Sequence, residues 1–271
     1  MRRCFTSAPT PPGCQCARQN SPGAKAKGPR ASLKPAWSTS AACSPSTALD
    51  EQGNPLRDHD STTYLSGFMN QSEFGIGLRR DAIRRGLFSA GRCVLLIDGA
   101  SGLERLGHDY FPDAIQIVDF YHALGHVYDL IGLLMPTAPQ KALDRRRRGW
   151  KKLLARGGVS RIIAIARREA AAAGKLQEVE AALGYLINNV ARMQYSSFRQ
   201  QGLFIGSGVI EAGCKSLVGQ RCKQSGMFWS LQGAEATLAL RCIHAGRQTD
   251  TFWKDRLNHR AALNDSLALT P

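Results

Sequence analysis

Arg92-Cys93-Val94-Leu95-Leu96-Ile97-Asp98-Gly99 and, further on, Ala114-Ile115-Gln116-Ile117-Val118-Asp119-Phe120 are the stretches that decide the fold. Val94 to Ile97 is apolar without alternation, as a strand covered on both faces is, and it stops at a turn pair, Asp98-Gly99. Ala114 to Phe120 reads as a second buried strand. Between them, Ser101 to about Asp109 predicts a helix and Phe111-Pro112-Asp113 a turn. Tyr121 to Leu134 returns to helix and is stopped by Pro136. Strand, helix, strand, helix is the pattern of an α/β core.

Outward from this core, Ser72 is placed to cap a helix running to Arg85, with Phe74, Leu78 and Ile83 on one face and Gly86 closing it. Gly53-Asn54-Pro55 marks a turn. Residues 1–48 have a different texture. They hold seven basic residues, seven of the twelve prolines and no carboxylate, the first acid being Asp50. They follow neither a helical nor a strand period and are expected to be irregular. On the other side, residues 136–198 read as helical throughout: Ala142 to Ala155, Val159 to Ala173, and Lys175 to Tyr195 with Leu176, Val179, Leu183, Leu186, Ile187 and Val190 at helical spacing. A Gly-rich loop from Gly202 to Gly208 then feeds a helix from Val209 to Gly219, and another spans Leu231 to Ala245. The end, from Leu257, reads as frayed. The divisions are thus 1–48, 49–135, 136–198, 199–256 and 257–271.

The chain has 271 residues, 43% of them hydrophobic, enough to bury a sizeable core and to exclude wholesale disorder. No apolar run approaches the ~20 residues of a membrane helix. The opening Met1-Arg2-Arg3-Cys4-Phe5 has no apolar stretch after its basic pair, so a soluble, cytoplasmic protein is expected. A net charge of +15 favours a polyanionic partner, nucleic acid being the commonest. The eight cysteines contain no CxxC pair, and Cys14-x-Cys16 is too close for an ordinary zinc knuckle, so reduced thiols are expected.

Four constellations can carry chemistry. Asp98, at the C-terminal end of a buried strand, lies where open α/β sheets place ligand and metal sites, although a turn Asp before Gly is also frequent. In Gly206-Ser207-Gly208-Val209-Ile210-Glu211, small residues let the chain turn into a helix whose first turn holds Glu211. Glu211 is either a capping carboxylate or, with Asp98, one of two carboxylates sharing Mg²⁺. Asp119-Phe120-Tyr121-His122 puts Asp119 and His122 at a helix start, with His126 one turn later; no further Cys or Glu completes a zinc site. The basic constellation is Arg145, Arg146, Arg147, Arg148, Lys151 and Lys152 on one helix, with a second patch of Lys215, Arg221 and Lys223 leading to Met227-Phe228-Trp229. Phosphates would offset the repulsion, and a solvated helix face is the plain alternative.

Taken together, Leu96-Ile97-Asp98-Gly99-Ala100, Phe111 through Ala123, Arg192-Met193-Gln194-Tyr195 through Gly202, and Gly206 through Lys215 running on to Gln220-Arg221 and Lys223-Gln224-Ser225-Gly226-Met227 resemble the ISKra group of insertion-sequence transposases. The resemblance covers about Asp50 to Arg256. It implies a DDE, RNase H-like catalytic core related to the mutator transposases, interrupted by an all-α insertion (Ala142 to Tyr195) and followed by a helical C-terminal part. Asp98 matches the second carboxylate of that triad, on the fourth strand, and Glu211 the third. Asp119-x-x-His122 is similar to the C/DxxH signature that follows the second Asp. The implied cofactor is Mg²⁺, two ions in an intact member, with Mn²⁺ as a substitute. The implied partner is DNA, both transposon ends and target, engaged by a homo-oligomer in a bacterial, nucleoid-associated setting.

The first Asp of the triad has no counterpart, since residues 1–48 contain no carboxylate. A shift of reading frame accounts for this. Starting at the third base of the Ser7 codon, the codons for Ser7 to Gly28 permit R-S-D-A-T-G-V-P-V-R-K-T-E-L-A-G-R-K-G-K-G, with the Asp straddling Pro9 and Thr10. In the same frame, Ser40 to Thr47 permit G-C-V-F-T-Q-H. Both are similar to the family's first two strands, which would then be missing from an incomplete sheet. The leading expectation is therefore a transposase remnant, inactive as this chain. The alternatives are a non-catalytic DNA-binding protein, and an RNase H-like metal-dependent nuclease in which Asp50, Asp58 or Asp60 replaces the lost Asp.

Overall fold

The computed structural model describes residues 39–43, 48–51, 55–56, 62–206, 213–222 and 229–268. The protein is mainly helical, built around a small parallel sheet. The strands are β1 (Thr39–Cys43), β2 (Ala48–Leu49), β3 (Pro55–Leu56), β4 (Thr63–Gly67), β5 (Val94–Ile97) and β6 (Ile115–Val118). The helices that matter here are α1 (Gln71–Arg84), α2 (Ser101–Tyr110), α3 (Phe120–Leu134), α4 (Gln140–Ala155), α5 (Val159–Ala172), α6 (Leu176–Asn188), α7 (Tyr195–Gln200), α8 (Leu231–Ala245) and α9 (Thr249–Ala268).

The predicted strand–helix–strand–helix unit is β5–α2–β6–α3. β5 and β6 pair in parallel, Val94 opposite Ile115 and Ile97 opposite Val118. All four β5 side chains are buried, because each face of the sheet is covered. Alternation sends Val94 and Leu96 into one core with Ile117, α3 and the helices α4–α7. Leu95 and Ile97 enter a second core with Phe74, Leu78 and Ala82 of α1, Leu103 and Leu106 of α2, and Phe111. Gly107 permits the close approach of α2: a Cβ there would lie 2.8 Å from Leu95 Cδ2. A third core joins Leu217 and Val218 to Leu238 and Cys242 of α8, with Tyr64 of β4 packed against it.

Several expectations need correction. Residues 1–48 are not wholly irregular: β1 lies within them and pairs antiparallel with β4, Ala41 opposite Leu65. It does not join β5; among the described residues β6 is the strand paired with β5. The ladder is made by backbone N–H and C=O groups, which require no apolar period. The α1 cap is Asn70, not Ser72. Its Oδ1 accepts from the Glu73 N–H at 2.9 Å while Glu73 Oε2 accepts from the Asn70 N–H at 2.9 Å, a reciprocal box that Ser72 cannot make. Ala82 rather than Ile83 completes the buried face of α1; Ile83 is exposed. Lys175 to Tyr195 is not one helix: α6 ends at Asn188 and a 3₁₀ turn, Val190–Met193, precedes α7. Leu176 and Ile187 are exposed, so Val179, Leu183 and Leu186 carry the packing. Cys214–Gly219 is π-helical and continues as Gln220–Cys222. The tail is not frayed from Leu257, because α9 runs on to Ala268.

Cys93, Cys222 and Cys242 are not disulfide-bonded. Among the described residues no helix is long and apolar enough to cross a membrane.

Candidate active site at the strand ends

Parallel pairing fixes the site. Because Ile97 sits opposite Val118, the next residues, Asp98 and Asp119, emerge side by side at the C-terminal edge of the sheet, and the Asp119 N–H donates to the Ile97 carbonyl at 2.7 Å. Asp98 is half-buried. Its Oδ1 accepts the Ala100 N–H at 2.9 Å, folding the carboxylate over the start of α2. Desolvation holds its pKa above the ordinary 3.8, opposed by that hydrogen bond and by the neighbouring His122 and His126. Gly99 takes a positive φ of 81°, a conformation that favours glycine at this turn.

Asp119 serves as the N-cap of α3, its Oδ1 accepting the His122 N–H at 2.8 Å. The two motif residues thus meet through backbone, and the His122 ring is left to face His126 at 5.1 Å between centroids. Burial pushes the His126 pKa down, with His122 adding to the effect. His126 also stacks on Tyr185 of α6, with centroids 3.7 Å apart. The loop after α7 reaches the same edge: the Phe120 N–H donates to the Ile205 carbonyl at 2.8 Å, and a Cβ on Gly206 would meet the Tyr121 ring at 3.3 Å. Gly206 therefore stands beside Asp119 and α3. Ser207, Gly208 and Glu211 lie outside the described residues, as do Lys223, Asp58 and Asp60.

Sequence reasoning missed Tyr185 and Asn189. Tyr185 Oη donates to the Asp98 carbonyl at 2.7 Å. Asn189 Nδ2 donates to the Tyr185 carbonyl at 2.8 Å and reaches the Gly99 carbonyl at 3.4 Å. Burial pushes the Tyr185 phenol up, and the charges of Asp98 and Asp119 push it the same way. Beneath lies Tyr195, fully buried, its hydroxyl without a hydrogen-bond partner. Arg192, also buried, pairs with Glu104 of α2 at 3.0 Å. The local sequence signal was a polar pair, Tyr185 and Asn189, one turn apart on an otherwise apolar helix face.

Magnesium takes one or two carboxylates and leaves its remaining positions to phosphate oxygens and water. Asp98 fits one such place: a hard oxygen donor at a strand end, whose cost of ionisation a cation would offset. Among the described residues no group of three or more His, Cys, Asp or Glu is placed to hold a metal ion.

The basic helix splits in two. Arg146 pairs with Glu169 of α5 at 3.0 Å and lies over the Trp150 ring; Arg147 lies over Tyr128 of α3 and near Asp144. These two are thus engaged within the protein, Arg146 with α5 and Arg147 with α3. Arg145, Arg148 and Lys152 are exposed, and with exposed Lys141 they fall at i, i+4, i+7 and i+11, a single stripe along α4. Lys151 is exposed beside it. Lys215 and Arg221 are exposed on the C-terminal segment, Arg221 lying over the Trp229 ring at 5.5 Å.

Comparison with protein-family models, with curated proteins and with solved structures finds no match to this chain.

Proposed function

We propose that this chain derives from a DDE-type transposase with an RNase H-like core: a DNA-binding protein built for phosphodiester cleavage and transfer, with part of its catalytic set lost. The observation that carries this reading is the pairing of Asp98 with Asp119-x-x-His122 at the C-terminal edge of two parallel strands, one carboxylate half-buried over the start of α2 and the other capping α3. The β5–α2–β6–α3 unit, with α1 leading into β5, supports a match to the later part of such a core, while β1 and β4 form a separate antiparallel pair.

In this reading Asp98 and Glu211 hold Mg²⁺. The bound ions would supply an activated oxygen nucleophile and stabilise charge on the leaving oxygen. The residues of the chain bind and orient: Asp98 fixes position from a rigid strand end, and the α4 stripe of Lys141, Arg145, Arg148 and Lys152 holds the phosphate backbone, with Lys215 and Arg221 as a second contact. Because residues 1–48 provide no first carboxylate, the chain itself binds DNA without transferring strands. DNA-binding assemblies of this kind are proposed to contain more than one copy.

The test is a plasmid-nicking assay on a supercoiled DNA carrying the genomic sequence that flanks the gene. It uses this chain and a second chain in which Ser7 to Thr47 is replaced by the product of the shifted frame. The second nicks DNA with Mg²⁺ or Mn²⁺ and loses this on Asp98→Asn, while the first is inert. Nicking that survives Asp98→Asn refutes the proposal. Nicking by this chain itself, dependent on Asp50, Asp58 or Asp60, would favour the nuclease instead.

A further inference from the structure

The loop that carries Asp98 is held by residues from a distant part of the chain. Tyr185 and Asn189 both belong to the helical insertion, at the end of α6 and just beyond it, yet both tether the Asp98-Gly99 turn through its carbonyls. The contacts are specific in shape as well as polarity. A Cβ on Gly99 would lie 2.8 Å from Tyr185 Oη and 3.0 Å from Asn189 Oδ1, so the two side chains pack directly on the glycine. Asn189 directs its amide N–H groups to Tyr185 and Gly99 and leaves Oδ1 buried without a partner. Tyr185 is itself fixed, stacked flat on His126 of α3.

We propose that Tyr185 and Asn189 are positioning residues, through which the helical insertion fixes the Asp98 carboxylate for cation binding. This rests on the reading of Asp98 as a cation ligand. Neither residue touches the cation; each acts through the backbone of residues 98 and 99. The insertion then has a second task besides holding DNA: it locks the strand-end turn into the one geometry that presents Asp98.

The experiment uses the full chain and Tyr185→Phe, which keeps the ring and its stack on His126 and removes only the hydroxyl. Asn189→Ala, which removes the other tether, is measured in parallel and keeps the test open should Tyr185→Phe fail to fold. Hydrogen exchange at the Ala100 and Ser101 amides reports the turn, Mn²⁺ affinity reports the carboxylate, and Asp98→Asn serves as reference. In the variants, exchange at these amides should rise about five-fold, the worth of one net hydrogen bond, while the rest of α3 and α6 is unchanged. Mn²⁺ should bind about tenfold more weakly, as when the outer support of a metal ligand is removed. Unchanged exchange at Ala100 overturns the proposal. So does faster exchange with unaltered Mn²⁺ affinity when Asp98→Asn abolishes binding; in that case Asp98 remains a cation ligand and only the positioning role fails. If Asp98→Asn also leaves Mn²⁺ affinity unaltered, both the positioning role and the assignment of Asp98 fall together.

Discussion

Tyr185 donates its phenol proton to the backbone carbonyl of Asp98 across 87 residues of chain, at 2.7 Å. With the Asn189 contact to Gly99, this bond ties α6 to the C-terminal edge of the parallel sheet. It makes the turn at Gly99 a junction rather than a loose connection, with consequences for stability.

Gly99→Ala should destabilise the protein by about 1–3 kcal/mol, since the residue holds a positive φ and a methyl there would press on Tyr185 and Asn189. Chemical denaturation checks this. Gly184→Ala inside α6, where an added Cβ meets nothing within 4 Å, should instead stabilise by about 0.5–1 kcal/mol.

Leu96→Ala should cost about 2–5 kcal/mol, because Leu96 of β5 is fully buried against the core of α3 to α7 and its removal leaves a cavity. Leu176→Ala, at an exposed position that the sequence period assigned to the core, should cost well under 1 kcal/mol. The difference between the two midpoints in urea is the readout.

The core was legible wherever burial is written in short apolar runs. Val94 to Ile97 and Ile115 to Val118 could be read because both faces of the sheet are covered and no polar residue interrupts β5. Finer detail failed where geometry, not hydrophobicity, decides. Ile83 lost its core place to the smaller Ala82, which lies closer to the axis of the Phe74–Leu78 face. Arg145 to Arg148 read as one patch, but four consecutive residues sweep about 300° around a helix and cannot share a face. Tyr185 and Asn189 show locally only as a polar pair one turn apart, which marks them as unusual but does not record contacts 87 and 90 residues away. Of the expected site, Asp98, Asp119, His122 and Gly206 come together; Glu211 lies beyond the described residues.

The two halves of the basic helix should respond differently. Reversing Lys141, Arg145, Arg148 and Lys152 to Glu should weaken DNA binding and lower the slope of log K against log salt by about 0.9 for each phosphate no longer neutralised. Reversing Arg146 and Arg147 should instead lower the melting temperature, because their partners Glu169, Trp150 and Tyr128 are within the protein. Fluorescence anisotropy across a salt series, paired with thermal melts, separates the two effects.

Asp98→Asn should stabilise the metal-free protein at neutral pH. Its folded pKa is raised above 3.8, so ionisation is disfavoured in the folded state and stability from this group is lost as pH rises through that raised value. The variant keeps an oxygen to accept the Ala100 N–H. Its advantage in melting temperature should therefore vanish below about pH 3.8, grow as pH rises above it, and level off once Asp98 is ionised. An advantage independent of pH would mean that ionising the carboxylate costs the folded protein nothing.

Iron-directed cleavage tests the proposal that Asp98 and Glu211 share one cation. Fe²⁺ takes the place of Mg²⁺, and ascorbate with peroxide then generates radicals that cut the backbone near the bound ion. Mass mapping of the fragments should show cuts clustered around residues 98 and 211, suppressed by excess Mg²⁺ and abolished together in Asp98→Asn. Cuts that avoid either position, or that persist in Asp98→Asn, would contradict the account.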